Sequence, residues 1–236
     1  METFYVDPVR VEIGALTLLG DEHRHLVRVL RAAPGDRVAV VDGAGIAYDA
    51  VITSISRHDV RCRIEERHPG RNELAMSVTI APALLKNPGR FDVIVEKATE
   101  LGAVRIVPLR TARVIGSAAK VDRWSGIALA AMKQCGRCVL PAVETPADFG
   151  DFLRRVPPDA LKLIPHEGAS LPLSAALPGY AGQDIVICIG PEGGFAEEEI
   201  ALASQAGFMP VRLGDRRLRA ETAAVAALAA VMLAPP

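Results

Sequence analysis

A chain of 236 residues can form one large domain or two modest ones, each with its own core. Its 27 Lys and Arg nearly cancel 28 Asp and Glu, leaving a formal net charge of −1. That balance excludes a protein uniformly coated in nucleic acid, though a basic face can stand opposite an acidic one. Half the residues are hydrophobic and 4% are aromatic, so Ala, Val, Leu and Ile must build the core.

No apolar run approaches the roughly 18 residues of a bilayer span, and the opening Met1-Glu2-Thr3-Phe4-Tyr5 lacks the marks of a signal peptide. The expected location is cytoplasmic. Cys62 and Cys188 lie in apolar or alternating segments, which argues against a disulfide framework. Cys135-Gly136-Arg137-Cys138 has the spacing of half a zinc or redox motif, but no second ligand pair accompanies it, so no metal is expected.

Residues 1–70 read as β-rich. Residues 38–45 form a strand running into an Asp42-Gly43 turn, residues 48–52 resume an extended pattern, and residues 60–64 alternate apolar and basic side chains. Between residues 21 and 33 the period becomes helical, with Leu26, Val29 and Leu30 on one face and His25, Arg28 and Arg31 on another. That basic face is either an RNA-reading surface or a solvated one. Pro34-Gly35 ends the helix.

His68-Pro69-Gly70-Arg71-Asn72 is a breaker-rich joint, which divides the chain into domains 1–70 and 71–236. Beyond it strands and helices alternate. Strands are expected at 76–82, 104–109, 161–165, 185–189 and 211–213, and helices at 90–101, 121–135, 147–156, 196–206 and 221–233. Such alternation predicts an α/β domain with a mostly parallel sheet covered on both faces.

Two turns stand out. In Ile189-Gly190-Pro191-Glu192-Gly193-Gly194 a buried strand enters a glycine turn, where α/β sheets place their ligands. No Lys-Ser or Lys-Thr follows, and Glu192 would repel a pyrophosphate, so a cofactor without phosphates such as S-adenosylmethionine fits better. A tight β–α connection with no ligand is the alternative. In Leu213-Gly214-Asp215-Arg216-Arg217-Leu218-Arg219-Ala220-Glu221 three arginines open a helix against its dipole. An anionic partner or a developing negative charge would explain them; otherwise they are a solvated basic turn, with Glu221 a capping carboxylate.

These segments, with His25 to Arg31, Pro34-Gly35-Asp36, Lys97-Ala98-Thr99-Glu100-Leu101-Gly102, Ile106-Val107-Pro108-Leu109 and Gln134-Cys135-Gly136-Arg137, resemble the 16S ribosomal RNA uracil-N3 methyltransferases of the SPOUT, or trefoil-knot, superfamily. The resemblance implies a small N-terminal PUA-like β-barrel and a C-terminal parallel sheet with a deep trefoil knot. It further implies S-adenosylmethionine as cofactor, small-subunit ribosomal RNA as partner and a homodimer. Carried onto this chain, it makes Arg219 and Glu221 the catalytic candidates. The cofactor candidates are Leu163, His166, Glu167, Ile189, Gly190, Pro191, Glu192, Gly193, Gly194, Leu213, Gly214, Leu218 and Ala223; the RNA candidates are Arg24, Arg28, Arg31, Lys86 and Arg137. Thr3 stands where relatives often carry arginine, and Ala220 where many carry threonine. The competing readings are an RNA-binding or ribosome-assembly factor without chemistry, and a knotted methyltransferase acting on another RNA position.

Overall fold

The computed structural model describes residues 2–114, 119–177 and 184–234. They group into two compact units, Met1–Glu73 with Leu129–Leu140, and Leu74–Ala128 with Pro141–Pro236.

The first unit is a curled six-stranded sheet in the order Thr3–Tyr5, Arg37–Val41, Ile46–Ile55, Asp59–Pro69, Ala15–Leu19, Val11–Glu12. The Thr3–Tyr5 pairing is parallel and the others antiparallel. Phe4, Leu16, Leu18, Val40, Ile52 and Val60 point into one core, each worth about 1.5–3 kcal/mol on full burial. Asp42 shapes the hairpin turn. Its Oδ1 accepts from the amides of Ala44 and Ile46, and its Oδ2 accepts from the Tyr48 hydroxyl at 2.9 Å. Burial and this carboxylate push the Tyr48 phenol up to about 12. The segment Leu129–Leu140 joins this unit because Met132 and Cys138 pack on Val41 and Ala47, while Leu140 donates its amide to Gly43.

The helix expected over 21–33 is shorter and changes type. An α turn, Gly20–Arg24, passes into a π turn, His25–Val29, and Arg31 then adopts a left-handed φ of 53°. The extra residue per turn rotates the later positions. Leu26 is buried as expected, but Val29 and Leu30 are exposed, so the apolar face ends one turn early.

The second unit holds an all-parallel six-stranded sheet in the order Ala142–Val143, Ala103–Ile106, Val78–Pro82, Ile185–Ile189, Leu161–Pro165, Met209–Val211. Val186 and Cys188 face the helices Phe149–Arg155 and Glu197–Gln205, where Phe149, Phe152, Phe195 and Phe208 fill the space. The helices Pro88–Glu100 and Ala220–Met232 pack on each other, and the latter also meets the Val78–Pro82 and Ile185–Ile189 strands. The result is the α/β fold that the alternation implied.

Several boundaries differ from expectation. The strand expected at 104–109 stops at Ile106 and resumes as Leu109–Arg110; between them Pro108 has no amide to donate. Leu109–Arg110 pairs with Ala147–Asp148 in a separate small sheet, which delays the following helix to Phe149. The strand expected at 211–213 lies at Met209–Val211, so Leu213 belongs to the turn.

Candidate active site

Four neighbouring parallel strands end on one edge of the second unit's sheet. Val78–Pro82 leads toward Arg90, Ile185–Ile189 into the glycine turn, Leu161–Pro165 into His166 and Glu167, and Met209–Val211 into the arginine turn. The carboxyl edge of a parallel sheet is where such folds hold ligands. Leu163 and Ile189 are buried in their strands, so they fix the edge from below.

The glycine turn depends on its composition. A Cβ on Gly190 would sit 3.1 Å from the Phe195 ring and 3.3 Å from the Phe195 amide, a crowding only glycine avoids. Gly194 takes a left-handed φ of 69° and donates its amide to the Pro191 carbonyl at 2.9 Å. Arg113 Nη1 donates to the Gly193 carbonyl at 2.7 Å, and Glu199 accepts from the amides of Ala112 and Ala196. Among the described residues, the amides of Glu192, Gly193 and Gly214 have no acceptor. Free donors at a sheet edge suit a ligand rich in hydroxyls, ring nitrogens and a carboxylate, as S-adenosylmethionine is.

The second turn carries Arg219 and Glu221. Arg219 is the N-cap of the final helix; its carbonyl accepts from the Ala223 amide at 2.8 Å. Its side chain is exposed and has no hydrogen-bond or ion-pair partner among the described residues. Glu221 lies two residues on and is mostly buried. Its Oε1 is 3.6 Å from Arg90 Nε, while its Oε2 is buried without a partner among the described residues. Arg90 Nη1 also lies 4.0 Å from Glu192 Oε1. Arg217 Nε stands 3.7 Å from Glu167 Oε2, and His166 Nδ1 accepts from the Gly168 amide. Ion pairs therefore connect the glycine turn with the arginine turn, and the arginine turn with the His166 turn. Gly214 has a left-handed φ of 130°, while Leu213, Leu218 and Ala223 are partly exposed beside these groups.

Arg90 and Arg113 were not among the sequence candidates. Arg90 offered a signal, since it occupies the first turn of the Pro88–Glu100 helix, where a cation opposes the dipole. Arg113 offered none, because its contact with Gly193 is made between distant segments.

The RNA candidates separate. Arg24, Arg28 and Arg31 are exposed around the π turn of the first unit, with Arg24 paired to Asp21. Lys86 is exposed in the turn before the Pro88–Glu100 helix. Arg137 is 2% exposed and donates from Nε to Glu73 Oε2 at 2.9 Å, so it is a buried structural residue and offers RNA no surface. Glu73 Oε1 further accepts from the amides of Cys138 and Val139.

Other polar clusters are explained by the fold. Lys97 sits between Glu96 and Glu100, whose carboxylates raise its pKa, and Thr99 donates to the Val95 carbonyl. The thiols of Cys135 and Cys138 donate to the separate carbonyls of Met132 and Arg71, and burial raises the Cys138 pKa. Asp49, Glu66 and His68 lie close enough to hold an ion, but Asp49 already binds the Arg71 fork at 2.9 and 3.1 Å.

Comparison with known proteins bears directly on this site. The family model for the RNA methyltransferase domain matches residues 72–232, and that for the RNA methyltransferase PUA domain matches residues 18–65. The chain belongs to the RNA methyltransferase family. A ribosomal RNA small subunit methyltransferase E from Synechocystis sp. is 37% identical over 234 residues, covering 96% of this chain and 75% of the relative. One from Mycobacterium bovis is 33% identical over 239 residues, covering 97% and 90%. Among solved structures, the Neisseria gonorrhoeae ribosomal RNA small subunit methyltransferase E bound to S-adenosyl methionine superposes with a TM-score of 0.87 at 34% identity, covering 98% of this chain and 96% of that one. A methyltransferase from Legionella pneumophila in complex with the same cofactor gives 0.81 at 32% identity, covering 97% and 96%. In this family's terms the first unit is PUA-like and the second lies within the methyltransferase domain. No helix among the described residues is long and apolar enough to cross a membrane.

Proposed function

We propose that this chain transfers the methyl group of S-adenosylmethionine to N3 of a uridine in small-subunit ribosomal RNA. One observation carries the reading: in an RNA methyltransferase, the glycine turn and the arginine turn share a sheet edge, with an unpaired Arg219 beside a mostly buried Glu221. When bound, the cofactor supplies an electrophilic sulfonium methyl. The residues 189–194, 213, 214, 218 and 223 hold it, with the free amides of Glu192, Gly193 and Gly214 as donors, Leu163 in the neighbouring strand, and His166 and Glu167 in the turn that follows that strand.

The remaining chemistry concerns the base. N3 lies on the pairing edge of uracil, so the target must be unpaired or turned out of its stack. As N3 loses its proton, negative charge spreads onto the flanking carbonyl oxygens. Arg219 stabilises that charge, and Glu221 orients the imide or accepts its proton. Arg24, Arg28 and Arg31 hold RNA phosphates from domain 1–70, and Lys86 does so from domain 71–236. The carboxyl segment threads a trefoil knot, and two copies pair through the alanine-rich last helix. The working location is the cytoplasm.

The test is methylation of naked ribosomal RNA against assembled small subunits, followed by nucleoside mass spectrometry. The reading requires 3-methyluridine in one of them. A methylated ribose or another base would favour a different RNA position, and no methylation with intact RNA binding would favour an assembly factor.

A further inference from the structure

We propose that Arg90 is a positioning residue that holds the Glu221 carboxylate in register with the glycine turn; this rests on the methyl-transfer reading. Three observations support it. Arg90 stands in the first turn of the Pro88–Glu100 helix, where its charge is locally unfavourable, so local helix stability does not explain it. Its guanidinium lies 3.6 Å from Glu221 Oε1 and 4.0 Å from Glu192 Oε1, reaching both ligand-facing turns. Glu221 Oε2 is buried with no donor among the described residues. A buried, half-partnered carboxylate is costly unless a cation compensates it, and among the described residues Arg90 is the cation within ion-pair distance.

The surrounding elements leave Arg90 as the controlling charge. The final helix packs on the Pro88–Glu100 helix, the Leu173–Ala176 helix and the Val78–Pro82 and Ile185–Ile189 strands. Those strands and the short helix carry no ionised side chain, and the Cys188 thiol is buried with its pKa raised. On the Pro88–Glu100 helix, Asp92 is held by Arg123, and Glu96 and Glu100 by Lys97. Glu192 and Arg219 are the other charges at the junction. Removing Arg90 should therefore leave the Glu221 carboxylate buried without a cation and free to turn away from the glycine turn.

The experiment compares Arg90→Ala, Arg90→Lys, Glu221→Gln and the double variant Arg90→Ala/Glu221→Gln. In Arg90→Ala, turnover should fall about 10–100-fold, a misplacement-sized loss. S-adenosylmethionine affinity by calorimetry should stay within about threefold, well under the tenfold that one lost strong contact would give. Arg90→Lys should recover part of the turnover, and the double variant should be no slower than Glu221→Gln alone. Parent-like turnover in Arg90→Ala, a cofactor affinity that falls as far as turnover does, or additive losses in the double variant would overturn the assignment. Failure of the parent to methylate any RNA sinks the methyl-transfer reading instead. The contact itself is then read from thermal unfolding, where additive melting shifts for Arg90→Ala and Glu221→Gln would refute it and non-additive shifts would support it.

Discussion

Arg113 Nη1 donates to the Gly193 carbonyl across 2.7 Å, tying the segment after the Leu109–Arg110 strand to the crown of the glycine turn. Fixing that carbonyl also restrains the turn that carries the Glu192 and Gly193 amides, which have no acceptor among the described residues. Arg113→Ala should weaken S-adenosylmethionine binding by about three- to tenfold, the loss of one partly solvated charge-assisted hydrogen bond. Isothermal calorimetry checks it, and an unchanged Kd would show that the turn is rigid without Arg113.

Two glycines predict different failures. A Cβ on Gly102 would lie 2.6 Å from Leu74 Cδ1, and the residue already has a left-handed φ of 94°. Gly102→Ala should destabilise the protein by about 1–3 kcal/mol, measured by urea unfolding, through overpacking added to backbone strain. Gly190→Ala meets Phe195 at the ligand edge, so its main effect should be on cofactor affinity, with a smaller change in unfolding midpoint.

Arg137 and the exposed arginines should part company on mutation. Arg137→Ala leaves Glu73 buried without its partner and should cost about 3–5 kcal/mol of stability. Arg28→Ala and Arg31→Ala should leave stability nearly unchanged while reducing the salt dependence of RNA binding by about one counterion each. A filter-binding series over salt concentration measures the slope, and an unchanged slope would remove the π-turn surface from the RNA contact.

Asp49 predicts a pH dependence. The hydrogen bonds from Arg71, then His68, hold its carboxyl at about 2, below the ordinary 3.8. A depressed native pKa means the stabilisation is complete above the unfolded value and disappears as pH falls through the native one. The stability difference between the parent and Asp49→Asn should therefore be constant above about pH 5, shrink as pH falls through 3.8 and be mostly lost by about pH 2. Urea midpoints across that window test it. Because Asp49 is 46% exposed, the difference will be modest and smaller in high salt.

Much of this architecture is written in local pattern. The five consecutive apolar residues Ile185–Ile189, β-branched at four positions and bounded by Gly190-Pro191, read as a strand covered on both faces, and its glycine turn follows from Gly190 and Gly194. The arginine turn was legible because its charges oppose a helix dipole. The same argument applied to Arg90, yet its partners Glu192 and Glu221 become neighbours only when the strands align. An α-helical period places Val29 and Leu30 on the buried face, and it cannot anticipate the π turn that exposes them. Arg137 is an RNA candidate only through the resemblance; its burial depends on Glu73, 64 residues away in sequence. Contacts made by tertiary alignment leave no periodic trace.

The central claim is chemical, and Arg219→Ala probes it most directly. The parent and the variant are incubated with S-adenosylmethionine and small-subunit ribosomal RNA, free and assembled, and 3-methyluridine is quantified by nucleoside mass spectrometry. The account predicts 3-methyluridine from the parent and a turnover loss of about 100-fold or more in the variant, with cofactor affinity nearly retained. Equal 3-methyluridine from both proteins, or none from the parent on either substrate, would contradict it.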